Sequence, residues 1–125
     1  MSRWWLDEPE DDNYPDALEF LTLIVDPDRA QRTIESLRRS DTVAYKCRDI
    51  LRASGVDPLT VHDAQVREHI RKVRAGQPLS PVLLIRGDSD VVRPLVIADG
   101  FHRVCAVHIL DEDSDARCRI VSLAD

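Results

Sequence analysis

The spacing of apolar and polar positions predicts five helices and four short strands. "PDALEFLTLIV", from Pro15, has apolar residues at helical spacing, and "DPDRAQRTIESLRRS" begins with the helix-start residues Asp26 and Pro27. "DTVAYKC" alternates as a short strand does, and "RDILRASG" is a short helix that Gly55 ends. "VHDAQVREHIRKVRAG" is amphipathic, with Val61, Ile70 and Val73 on its apolar side. The first part of the chain is therefore predicted to be mainly helical.

The last third changes character. "SPVLLIRG" and "VRPLVIAD" are apolar runs separated by the turn residues "DSDV", and both are predicted to be strands. "GFHRVCAVHIL" is a helix with Val104, Val107 and Leu110 facing inward, and "ARCRIVSL" is a closing strand. This order predicts an α+β fold in which a small mixed β-sheet follows N-terminal helices.

Domain organisation follows from the absence of a repeat or a Gly/Ser linker. Residues 14–125 are predicted to form a single domain, and residues 1–13 an acidic, flexible tail. The tail carries Trp4 and Trp5. This pair either packs back on the domain or anchors a partner.

Charge narrows the choice of ligand. The chain has 125 residues and a net charge of −6, divided into −8 over residues 1–28, +6 over residues 29–86 and −4 over residues 87–125. An acidic protein is not favoured as a general nucleic-acid binder, whereas a basic middle can hold a small anion. The fourth predicted helix has a basic face, formed by Arg67, Arg71, Lys72 and Arg74. This face is either solvated or an accessory surface for nucleotide or nucleic acid.

The cysteines and the apolar runs indicate the compartment. Cys47, Cys105 and Cys118 have neither an even count nor CxxC spacing, so reduced thiols in the cytoplasm are expected rather than disulfides or a zinc site. No apolar run approaches the roughly 20 residues that span a bilayer, and the first residues lack a secretory h-region. A cytoplasmic protein without membrane contact is predicted.

"VIADGFHRVCAVHIL" holds the candidate site, at the junction of a strand with a helix. Gly100 permits a tight turn and close approach of a ligand, and the first N–H groups of a helix attract anions. His102 and Arg103 add donors that suit phosphate. Asp99 either caps the helix or holds a metal ion or a substrate hydroxyl. A plain capped turn is the alternative to a phosphate site.

The residues "PLSPVLLIRG…RPLVIADGFHRVCAVHIL…ARCRIV" resemble the fold shared by ParB-type N-terminal domains and sulfiredoxins, over about residues 43–121. ParB-type domains carry Gly-Glu-Arg-Arg at this corner, where phosphates of a nucleotide bind. Sulfiredoxins carry Gly-Cys-His-Arg, with a catalytic Cys and a His-Arg pair that binds ATP phosphates. The resemblance implies that Gly100, His102 and Arg103 bind phosphate.

Departures from these families limit the reaction. Phe101 occupies the position of the sulfiredoxin cysteine, and Cys105, one turn later, is interpreted as a small core residue. The chain has no room for the further domains of a ParB partition factor. Free-serine kinases of the same superfamily carry an Asp-Gly-His-x-Arg version, which makes Asp99 the candidate catalytic residue. Asp88 and Asp90 are candidates for an acidic base, although a solvated turn is the favoured interpretation.

We therefore expect a protein that binds a nucleotide (ATP or CTP, with Mg²⁺) or another phosphorylated ligand. Two alternatives stay open: a phosphotransferase or ParB-like nuclease, and a non-catalytic interaction module docked through its Trp-bearing tail. A homodimer is compatible with each of them. No metal site is assigned from sequence: a His102–His108 pair is not favoured, and His62-Asp63 is interpreted as helix capping.

Overall fold

The strand predicted from "SPVLLIRG" lies at the centre of the fold, and its continuous apolar character has a direct cause. The computed structural model describes residues 4–90 and 93–125. In it Val82 and Leu84 face one helical layer, whereas Leu83 and Ile85 face another. All four side chains are at most 1% exposed. A strand that is covered on both faces is apolar throughout rather than alternating.

The described residues form five helices and one four-stranded sheet, which confirms the predicted α+β class. The helices and strands are, in chain order, α1 Asn13–Leu21, α2 Pro27–Arg39, β1 Val43–Lys46, α3 Cys47–Ser54, α4 Ala64–Arg74, β2 Val82–Ile85, β3 Val96–Asp99, α5 Phe101–Leu110 and β4 Asp115–Val121. The strand order is β1-β4-β2-β3. β2 is antiparallel to β3 and parallel to β4, and β1 is antiparallel to β4. The sheet is therefore mixed, with β2 and β4 in its centre.

Two apolar clusters lie on opposite faces of this sheet. α1 and α2 cover one face, where Ala17, Ile34 and Leu37 are buried against Leu83 and Ile85. α3, α4 and α5 cover the other face around Val82 and Leu84. All three cysteines are free and buried, and Cys105 is a core residue as predicted. The result is a three-layer arrangement with the sheet in the middle.

Several local signals predict the ends of the helices correctly. Asp26 caps α2 by accepting a hydrogen bond from the backbone N–H of Arg29, and Asp63 caps α4 by accepting one from Val66. Gly55 ends α3 in the left-handed conformation. The first helix differs from the prediction: it begins at Asn13 rather than Pro15 and ends at Leu21. Val61, predicted on the apolar side of α4, precedes that helix and is exposed.

The prediction of a loosely attached tail is wrong for residues 4–13. Trp5 is 3% exposed within the cluster under α3–α5, and its indole N–H donates to the carbonyl of Asp115. The backbone N–H of Leu79 donates to the carbonyl of Trp4 at 2.8 Å, and that of Leu6 donates to the carbonyl of Leu79 at 2.8 Å. Aromatic burial overrides the acidic character of this segment. Residues 1–3 of the predicted tail lie outside the described residues.

Candidate functional site

The turn between β3 and α5 places the sequence-predicted site residues. Gly100 is the N-cap of α5 with a φ of 106°, a left-handed conformation that favours glycine. No side chain caps the helix, so the alternative in which Asp99 serves as the cap is wrong. The first-turn N–H groups therefore have neither an intrahelical acceptor nor a side-chain cap. The positive end of the helix dipole is therefore not neutralised by a side-chain cap.

Arg103 turns back beneath this corner instead of pointing outward. Its Nη2 donates to Asn13 Oδ1 at 3.0 Å and to the Pro81 carbonyl at 3.4 Å, and it forms an ion pair with Asp99 Oδ2 at 3.3 Å. The side chain is only 12% exposed, and its buried Nε has no partner among the described residues. A Cβ on Gly100 would lie 2.7 Å from Arg103 Nη2. Glycine at this position thus also makes room for the guanidinium.

Asp99 is brought close to Arg103 but is not freely accessible. Its side chain is 19% exposed. Burial raises the pKa of Asp99, the Arg103 charge and hydrogen bond oppose this effect, and the Asp16 and Asp12 charges add to it. On the α1 side the corner is therefore rich in carboxylates, which would repel a phosphate.

His102 lies on the α4 side of the corner, where the surroundings differ. Its side chain is 35% exposed, and its Nε2 lies 4.0 Å from Asp63 Oδ1. His69 of α4 interacts electrostatically with His102 and has a buried Nδ1 with no partner among the described residues. Burial, followed by the charges of Arg103, Lys72 and His102, lowers the pKa of His69 to about 4. Cationic and histidine side chains therefore collect on this side.

Sequence reasoning missed two residues of the corner. Asn13 lies 90 positions from Arg103, and no local pattern connects them. His69 did leave a signal, because its spacing from Val66 and Val73 places it on the packed face of α4.

The structure separates other candidates from the corner. Asp88 and Asp90 lie at the opposite end of the β2–β3 hairpin, where Asp88 Oδ1 accepts a hydrogen bond from the backbone N–H of Asp90. They are therefore too far along the hairpin to serve as a base beside Asp99, which pairs with Leu83. Within residues 4–90 and 93–125, no group of three or more His, Cys, Asp or Glu side chains is arranged to hold a metal ion.

The described part of the chain contains no helix of the length and apolarity needed to cross a membrane. Comparison of this chain with known protein families, with curated proteins and with solved structures gives no match in any of the three.

Proposed function

We propose that this protein binds a phosphorylated ligand, with a nucleotide such as ATP or CTP as the first candidate, at the β3–α5 corner. The observation that carries the proposal is the start of α5, where uncapped N–H groups follow a left-handed glycine. Helix N-termini of this form bind phosphate through N–H donors and the helix dipole. The resemblance to ParB-type N-terminal domains and sulfiredoxins supports the same corner and the same ligand class.

Electrostatics favour the α4 side of the corner for the phosphate. His102 is there and partly exposed, whereas the carboxylates of Asp12, Asp16 and Asp99 are on the other side. Asp63 competes for His102 from 4.0 Å, although the same oxygen already caps α4. In this proposal, the phosphate accepts hydrogen bonds from the first-turn N–H groups and from His102. Mg²⁺ enters with the nucleotide.

Arg103 has two duties in this proposal. Its charge lies beneath Gly100 and attracts the phosphate, and its hydrogen bonds to Asn13 and Pro81 hold the turn in shape. Asp99 holds the guanidinium in place and organises the site. Turnover of the bound nucleotide, measured for the wild-type protein and for the Asp99→Asn variant, shows whether a reaction follows binding.

Isothermal titration calorimetry with ATP, CTP and ADP, each with and without Mg²⁺, tests the proposal. We expect saturable binding to the wild-type protein, and an affinity about tenfold lower for His102→Leu because one donor to the phosphate is lost. His108→Leu, at the other end of the same helix, is the matched control and leaves the affinity unchanged. No binding of any of the three nucleotides at millimolar concentration would overturn the proposal.

Arg103→Ala reports on both duties. It removes the charge beneath Gly100 and the hydrogen bonds that hold the turn, and is therefore expected to weaken nucleotide binding by more than about 1.5 kcal/mol. Circular dichroism on the same sample establishes that the variant is folded, and Arg103→Lys, which keeps the charge, recovers part of the affinity. Unchanged affinity in folded Arg103→Ala places the phosphate elsewhere.

A further inference from the structure

A cavity lies at the opposite end of the β2–β3 hairpin from the corner. It has a volume of about 550 Å³, within the roughly 300–1,000 Å³ typical of small-molecule sites. Its apolar lining comes from α3 and the sheet, mainly Ile50, Ala53, Leu84, Leu95 and Ile120. Leu95, at the hairpin end of the lining, is five residues or about 16 Å from Gly100 at 3.3 Å per residue of extended chain. No residue of the corner lines it.

Two arginines give this cavity its chemistry. Arg86 and Arg93 line it from either side of the hairpin turn. The buried Nε of Arg93 has no hydrogen-bond partner in the described part of the chain. Buried N–H groups rarely stay unpaired, because their desolvation is then uncompensated. This Nε has no contact with solvent, so an acceptor atom of a ligand in the cavity reaches it only when the Arg93 side chain shifts toward the cavity.

Gly87 fixes the position of Arg93. A Cβ on Gly87 would lie 2.6 Å from the carbonyl oxygen of Arg93 and 2.9 Å from the carbonyl carbon of Pro94. The two strands of the turn therefore approach more closely than any other residue would permit. Asp88 and Arg93 exchange backbone hydrogen bonds of 2.8 Å in both directions. The backbone of Arg93 is thus fixed at a point where the residue lines the cavity.

The charges at the rim select the class of anion. Asp49 and Asp88 also line the cavity, so a doubly charged phosphate would meet two carboxylates as well as two arginines. A monocarboxylate carries less charge and fits the planar fork of a guanidinium. We infer that this cavity binds a hydrophobic monocarboxylate, whose apolar body contacts Ile50, Leu84 and Leu95 and whose carboxylate pairs with Arg93. This inference does not rest on the function proposed for the corner.

The test is ¹H–¹⁵N NMR titration of the full chain with 4-phenylbutyrate, 4-phenylbutan-1-ol and phenyl phosphate. We expect 4-phenylbutyrate to shift the amides of α3 and of the hairpin around Gly87, with at least tenfold higher affinity than the alcohol. Arg93→Met is expected to remove that advantage. Arg74→Met, an exposed position on α4 outside the cavity, is the matched control and leaves it intact. Asp49→Asn strengthens binding two- to threefold, because a repelling charge is lost.

Each alternative outcome overturns the inference in a recognisable way. Equal affinity for the alcohol means that the arginines do not recognise the ligand. Tighter binding of phenyl phosphate excludes the monocarboxylate class. Amide shifts confined to Gly100–Arg103 place the ligand in the corner instead, and no shift with any of the three compounds at 10 mM rules out the site. Nucleotide binding at the corner is measured separately, so failure of one site does not imply failure of the other.

Discussion

At the scale of single residues, Gly100 combines two requirements that are usually met separately. Its φ of 106° disfavours any side chain, and the Arg103 guanidinium occupies the space that a Cβ would need. Gly55 provides a comparison, because it has a φ of 69° and no atom within 4 Å of a built Cβ. Gly100 therefore differs from Gly55 both in a φ that lies further from the left-handed region open to other residues and in the collision with Arg103.

Gly100→Ala is expected to lower the free energy of unfolding by about 3 kcal/mol, compared with about 1 kcal/mol for Gly55→Ala. The difference arises because a φ of 106° suits alanine less well than one of 69°, and because Arg103 must move and its ion pair with Asp99 is disturbed. Urea unfolding of both variants measures it. Equal costs would show that the guanidinium shifts without penalty.

His69 is the second residue with a measurable signature. Its folded-state pKa of about 4 lies below the usual 6.5, so the unfolded chain takes up its proton first as the pH falls. Stability is therefore expected to fall between pH 6.5 and about 4 by roughly 2 kcal/mol relative to His69→Asn, after allowance for partial screening by solvent. Chemical unfolding across this range checks the sign and size. The exposed His62→Asn is the control, and it should follow the wild-type pH profile.

At the scale of elements, the end of α2 is joined to the sheet by one buried charge. Arg119 of β4 is 8% exposed and donates to the carbonyls of Leu37 and Arg38, at the C-terminus of α2. It also donates to the Tyr14 hydroxyl and to Thr42 Oγ1. A cation at a helix C-terminus is stabilised by the dipole. The Leu37 carbonyl also accepts hydrogen bonds from Ser40, so the shorter bond from Arg119, to the Arg38 carbonyl at 2.8 Å, is the one that satisfies an end carbonyl of the helix.

Arg119→Met is expected to cost about 3 kcal/mol of stability, because the Arg38 carbonyl and the Tyr14 hydroxyl lose a buried charged donor. Arg117→Met, two positions earlier on the same strand, is the matched control. Arg117 is 27% exposed, and its ion pair with the exposed Asp7 is long, at 3.9 Å. Its loss should therefore cost less than about 1 kcal/mol. Thermal unfolding of the two variants distinguishes them. Similar melting temperatures would mean that water replaces Arg119 at the helix end.

The same elements show how far sequence reasoning extends. The order of helices and strands was predictable, because caps such as Asp26 and Gly55 and the apolar run of β2 are local signals. The turn at Gly100 was predictable for the same reason. Arg103 was expected to face a ligand, yet most of its partners come from distant segments, Asn13 and Pro81. Partners that are far apart in sequence leave no periodic pattern, and the orientation of a long side chain depends on them.

At the scale of the whole molecule, residues 4–13 connect the two faces of the sheet. Trp5 belongs to the cluster under α3–α5, whereas Tyr14, just beyond this segment, belongs to the cluster under α1 and α2. Between them the segment bonds to Leu79 and Ser80, immediately before β2. Trp5 is thus buried in the core of the protein, so it is not exposed to dock a partner as one hypothesis for the Trp pair required.

This connection predicts that Trp5 stabilises the whole fold rather than a local tail. Trp5→Ala should lower the free energy of unfolding by about 3–5 kcal/mol, because a fully buried indole leaves a large cavity and the carbonyl of Asp115 loses its donor. Phe20→Ala, at a 40% exposed position, is the control and should cost less than about 1 kcal/mol. Urea unfolding followed by circular dichroism at 222 nm measures global stability for both. If Trp5→Ala cost no more than Phe20→Ala, residues 4–13 would be separable from the fold. A single shifted transition would instead show that the segment and both helical layers unfold together.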